Sequence, residues 1–214
     1  MSSPANNEVV STSSRLRVWD LFVRVFHWSV AAGFFIAYFT EDDFMLLHVW
    51  TGYLVGALVA MRIVWGFIGP KYARFYDFIY SPFTVWRYLA DLALLRARRH
   101  LGHSPAGGAM TLLLLLMLVA VVWTGLNIYV IEYGSGPLLR LSIRSQAVPR
   151  AILARQDGSD NDDYWEDLHE ALSHFLLFFV LLHIGGVALA SFVHKENLTR
   201  GMITGIKKNI EGDD

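Results

Sequence analysis

The chain has 214 residues, of which 54% are hydrophobic and 17% charged, and a formal net charge of −1. Soluble domains carry about 25% charged residues, and here the shortfall is concentrated in long apolar blocks, which places the chain in the membrane class. The near-neutral balance leaves no basic stripe for nucleic acid. The absence of cysteine excludes disulfides, thiolate-ligated zinc, iron–sulfur clusters and covalent haem attachment through cysteine.

In chain order, residues 1–17 read as a polar tail, with no short apolar core before a cleavage site, so no signal peptide is expected. Crossing a bilayer takes about 20 mostly apolar residues, and four blocks meet that length: Leu21–Phe39, Met45–Ile68, Ala109–Ile131 and Leu168–Val193. Between the second and third lies "SPFTVWRYLADLALLRARRH", too charged to cross and opened by Ser81 and Pro82. It reads as an amphipathic helix lying at the interface. The expected fold is therefore an all-α integral membrane protein, a four-helix transmembrane bundle with one interfacial helix between helices 2 and 3. The membrane domain spans 18–208 and a short tail covers 209–214.

Orientation follows from Lys and Arg, which mark cytoplasmic loops. Arg15 and Arg17, the second loop with Lys71, Arg74, Arg87, Arg96, Arg98 and Arg99, and the tail with Lys195, Arg200, Lys207 and Lys208 share one side. Glu41, Asp42 and Asp43 fill the short first loop on the other. Both termini are expected in the cytoplasm. The long loop from Ile131 to Tyr164 is rich in Gly, Pro, Ser and Arg. It is either a docking surface for an extracytoplasmic partner or a solvated connector.

Five of the eight histidines fall within spans: His27, His48, His169, His174 and His183. Ionisable groups at membrane depth face the bundle interior and mark function, although a single one is commonly a hydrogen-bonded core residue. Spacing separates them. His169 and His183 are fourteen residues apart, which leaves them about 40° from eclipsed and about 21 Å apart along a helix. His174 points elsewhere and is set aside. His48 and His169 each lie about one turn in from the outer side, while His27 and His183 share an inner level. Two pairs at two depths suit two bis-imidazole haems, because a neutral imidazole donates its lone pair to iron. Gly52 and Gly56 follow His48 on its own face, and Gly185 with Gly186 follow His183. They offer either room for a flat macrocycle or plain helix contacts of the Gly-x-x-x-Gly kind. Arg24 and Arg62 lie in the cytoplasmic halves of their spans, placed to neutralise haem propionates or to snorkel to headgroups. His100, His103 and His194 read as ordinary interfacial residues.

The stretches "VWDLFVRVFHWSV", "LHVWTGYLVGALVAMRIVWGFIGPKYARF", "GHSPAGGAM" and "HKENLTRGMITGIKK" together resemble the bacterial cytochrome b561 family. The likeness is to the branch that holds the cytochrome b subunits of nickel–iron hydrogenases and related diheme cytochromes. It covers nearly everything from Val18 to Lys208, leaving out the long loop after Ile131 and the first fourteen residues. It implies two non-covalent b-type haems with axial pairs His27–His183 and His48–His169. Ser104 stands where the family usually has Asn, which bears on a quinone or propionate site in that loop. The resemblance further implies a multi-pass protein of the bacterial inner membrane. Its expected role is to carry electrons between an extracytoplasmic hydrogenase or c-type cytochrome and membrane quinone, as an electron-transfer subunit. The quinone is expected at the inner face, near Arg24, His103 or Arg74. One alternative is a superoxide:quinone oxidoreductase acting alone, which would use Arg140, Arg144 or Arg150 to attract its anionic substrate. Another is a non-redox transporter or scaffold, which would be colourless. The Trp- and Phe-rich surface neither requires nor excludes a homodimer.

Overall fold

The computed structural model describes residues 15–41, 43–133 and 161–208. The segment 134–160 with Arg140, Arg144 and Arg150, as well as Asp42 and residues 1–14 and 209–214, lies outside them.

Helix α1 (Leu21–Phe39) begins where Asp20 turns extended and its Oδ1 accepts from the Val23 amide at 3.0 Å. This satisfies one of the orphan donors at a helix start. Helix α2 (Met45–Ile68) ends at Gly69, whose amide bonds Trp65 O, and Pro70 follows. Two short 3₁₀ turns, Lys71–Ala73 and Phe75–Asp77, lead to the interfacial helix α3 (Pro82–Ala93). Ser81 caps α3 through Oγ, and Pro82 sits in the first turn, where a missing amide costs nothing. Helix α3 is shorter than the charged stretch suggested. The chain leaves it at Leu94, and Leu95 takes a positive φ of 58°. Tyr88, Leu92 and Ala97 are buried against Ala106, Ala190 and Val193, whereas Phe83 and Trp86 stay outside. Helix α4 (Pro105–Tyr133) and helix α5 (Asn161–Val193) both outrun their apolar blocks, because polar turns continue the helix beyond the hydrocarbon. A short helix α6 (Leu198–Thr204) is capped by Asn197. It ends at Gly205, whose φ of 79° favours glycine. A Cβ there would also meet Trp19 O at 2.6 Å.

Among the described residues four helices are long and apolar enough to span a membrane: α1, α2, α4 and α5. An antiparallel ladder joins β1 (Arg15–Arg17) to β2 (Ile206–Lys208), with Leu16 opposite Lys207. Arg15–Arg17, expected as part of the polar tail, therefore pair with Ile206–Lys208 near the other end of the described residues. α1 packs on α2, α4 on α5, and α2 on α4, but α5 makes little close contact with α1 or α2. The core fills the middle of the bundle, from Val30 and Phe34 through Val55, Val59 and Leu118 to Leu176. Leu176 is 1% exposed and sits seven residues from both His169 and His183.

Candidate functional site

Helix α5 packs loosely against α1 and α2, and across these gaps the histidines expected to pair face each other, with a cavity at the His48–His169 pair. His27 of α1 faces His183 of α5 with ring centroids 6.3 Å apart and planes tilted by 57°. His48 of α2 faces His169 of α5 at 6.1 Å and 74°. Two imidazoles bonded to one metal at about 2.0 Å each would have centroids about 6.3 Å apart. Both separations match that figure, and both are too long for a direct hydrogen bond between rings. Among the described residues no three His, Cys, Asp or Glu side chains converge. Two opposed rings, with a cavity beside the His48–His169 pair, would suit a flat group held between them better than a caged ion.

The outer pair is held by its second ring nitrogens. His48 Nδ1 lies 2.9 Å from the Ala37 carbonyl oxygen. A carbonyl only accepts, so the proton sits on Nδ1 and Nε2 keeps the lone pair. His169 Nδ1 lies 2.8 Å from Thr124 Oγ1. Such outer contacts fix the tautomer of a metal-binding histidine. A cavity between these rings is lined by Glu41, Gly52, Tyr53, Gly125 and Tyr129. The glycines here have distinct roles. A Cβ on Gly52 would meet nothing within 4 Å, while one on Gly56 would press Val122 Cγ1 at 3.0 Å. Of the two readings of "GYLVG", open space holds for Gly52 and helix contact for Gly56. Gly185 and Gly186 also face open space, and a Cβ on Gly125 would come within 3.1 Å of His169 Cε1.

At the inner pair His27 Nδ1 is sealed from solvent without a partner among the described residues. His174 is exposed and bonds its own helix through Glu170 O, apart from either pair.

The two arginines differ in burial: Arg24 is half-buried and Arg62 is buried. Arg24 donates from Nη1 to Ile203 O at 2.9 Å, and its Nε is buried without a partner. Arg62 is 3% exposed, donates from Nη2 to Ala73 O and lies over the Phe75 ring, with Nη1 unpartnered. The 3₁₀ turns close beneath it, which the span alone did not reveal. A buried guanidinium with a spare donor suits an anionic group such as a propionate. His103 is likewise not an ordinary interfacial residue. Its ring lies 4.6 Å from Trp19 and 4.2 Å from Phe78, and its Nδ1 is sealed. Burial, with Arg62 and Lys207 adding to it, lowers its pKa to about 3. Nearby, Glu196 accepts two bonds from Arg99 at 3.0 and 3.1 Å and lies 3.8 Å from Lys207 Nζ. Tyr88 and His194 hydrogen-bond at 3.2 Å. This layer ties α3, the loop after it and the end of α5 to the terminal ladder. Arg74 pairs with Asp77 at 3.0 Å.

Sequence reasoning missed Thr124, Gly125 and the Ala37 carbonyl. A threonine beside a glycine in an otherwise apolar span was the visible signal for the first two.

Four spans, paired interior histidines and no cysteine define a membrane-embedded b-type cytochrome, a protein of electron transport. The sequence model of the prokaryotic cytochrome b561 family matches residues 18–205, and the chain belongs to that family. A relative from Rhizobium leguminosarum bv. viciae, described as a probable Ni/Fe-hydrogenase B-type cytochrome subunit, is 22% identical over 235 aligned positions. The alignment covers 96% of this chain and 94% of that one. No solved structure matches.

Proposed function

We propose that the chain carries electrons across the bacterial inner membrane, from an extracytoplasmic redox partner to the quinone pool, through two b-type haems. The observation that carries this reading is the pair of opposed imidazoles at each of two depths, 6.3 and 6.1 Å between centroids. His27 and His183 would hold the inner haem, and His48 and His169 the outer one. Haem iron held by these imidazoles would supply one-electron oxidation and reduction. The protein's part is to grip, space and insulate. Leu176 and its apolar neighbours fill the layer between the pairs and exclude water from it. The helix register sets the two levels about 21 Å apart. Arg24 and Arg62 each offer a buried donor to a propionate at the inner end.

A hydrogenase as the outer partner is favoured by the name of the Rhizobium relative, and a c-type cytochrome has the same outer approach. The quinone fits best at the inner face, beside the aromatic enclosure of His103. The Lys- and Arg-rich side that holds both termini faces the cytoplasm.

Haem content per chain, read from the reduced spectrum of the purified protein, tests this. Two haems are expected, and His183→Ala should leave one. Fewer than two in the parent, or both kept in the variant, overturns the reading.

A further inference from the structure

The two histidine pairs are not equivalent, and the difference lies in what their second nitrogens meet. We infer that Thr124 is a positioning residue for His169, and that it makes the outer pair the more electron-donating of the two. This rests on the reading of His48 and His169 as axial ligands.

Thr124 is 3% exposed on α4. Its Oγ1 lies 2.9 Å from Val121 O and 3.1 Å from Ala120 O, both carbonyls of its own helix. A hydroxyl has one proton to give, and two acceptors on the preceding turn compete for it. Its oxygen lone pair remains for the third neighbour, His169 Nδ1 at 2.8 Å. His169 therefore donates from Nδ1, and its lone pair stays on Nε2. Had the hydroxyl instead donated to Nδ1, the ring proton would sit on Nε2 and block ligation.

An acceptor on the far nitrogen raises the basicity of a ligating imidazole. At the outer level both rings have one, Thr124 Oγ1 and Ala37 O. At the inner level His27 Nδ1 has none among the described residues. Charge reinforces the contrast. Glu41 lines the outer cavity, while Arg24 and Arg62 each keep an unpartnered buried nitrogen at the other end. More basic ligands and a nearby carboxylate favour the oxidised iron, and buried cations favour the reduced one. The outer haem thus has the lower reduction potential, and transfer from the outer level to the inner is downhill.

The experiment is a redox titration of the purified, haem-loaded protein. Thr124→Val removes the acceptor at nearly constant shape, and Thr124→Ala serves if Val fails to assemble. The lower of the two midpoint potentials should rise, with about a tenfold change in the reduction equilibrium, or ~59 mV for one electron. The higher potential should stay put, and Thr124→Ser should restore the parent value. In haem-free protein, 15N shifts of labelled His169 should report the Nδ1–H tautomer in the parent and a mixture in Thr124→Val. Unchanged potentials, a shift confined to the higher one, or an Nε2–H tautomer in the parent overturns the inference. His169→Ala separates the layers of the argument. If it keeps both haems, the ligand assignment itself fails. If it loses one and the remaining haem has the lower potential, the ordering fails while the assignment stands.

Discussion

Gly52 offers a perturbation whose sign should differ between the chain without its cofactor and the chain with it. It sits one turn beyond His48 and lines the outer cavity, and a Cβ built there meets no atom within 4 Å. In the haem-free chain Gly52→Ala therefore has no steric cost, and it removes a helical glycine, which favours the fold by up to about 1 kcal/mol. In the loaded chain the same methyl enters the space beside the paired rings. Forcing one extra methylene into a filled site costs about 1–3 kcal/mol. At 1.36 kcal/mol per decade, that weakens retention of the outer haem by about 5- to 150-fold. The assays are thermal unfolding of protein made under haem limitation, and the rate of haem loss to an apo-globin acceptor. The expected result is a haem-free form at least as stable as the parent, with one of two haems released faster. Gly56→Ala is the contrast, because its Cβ presses Val122 and should destabilise both forms alike. Haem retention in Gly52→Ala equal to the parent's would refute the claim that this glycine borders the macrocycle.

Acid stability should depend on His103. Its pKa is held at about 3 by burial between Trp19 and Phe78. The unfolded chain takes up a proton near pH 6.5 and the folded one does not, so stability present above pH 6.5 is lost as pH falls toward 3. The upper bound is about 5 kcal/mol, and His103→Phe should flatten the unfolding profile over that window. Arg99→Gln removes a two-bond contact to Glu196 from a site where both side chains are mostly covered. It should cost about 1–3 kcal/mol, seen as a lower melting temperature with both haems retained. Because the chain has no cysteine, introduced ones report topology cleanly. Asp43→Cys should react with a membrane-impermeant maleimide in intact spheroplasts, and Thr199→Cys only after lysis. The reverse pattern would invert the assigned orientation.

The spans and the interfacial helix were legible because long apolar runs and a Ser-Pro start are local signals. The pairing of histidines was legible for a similar reason. Fourteen residues on one helix fix both the face and the distance, which is why His169 and His183 each meet a ring from another helix. What stayed hidden depended on a second segment. Thr124 becomes a partner of His169 only through the register of α4 on α5. Arg62 is buried only because the turn at Ala73 and Phe75 folds under it. The terminal ladder is a three-residue pairing between distant ends with no alternating pattern to betray it. Helix lengths were underestimated where Asn161–Asp167 extend α5, since a polar turn does not read as part of a span.

One rod, α5, supplies a ring to each pair. A macrocycle at either level would bear on the position of that rod, and so on the ring it presents at the other. The second occupant then meets a partner already aligned. In His183→Ala or His169→Ala, where one level stays empty, the haem that remains should accordingly be held less firmly than in the parent.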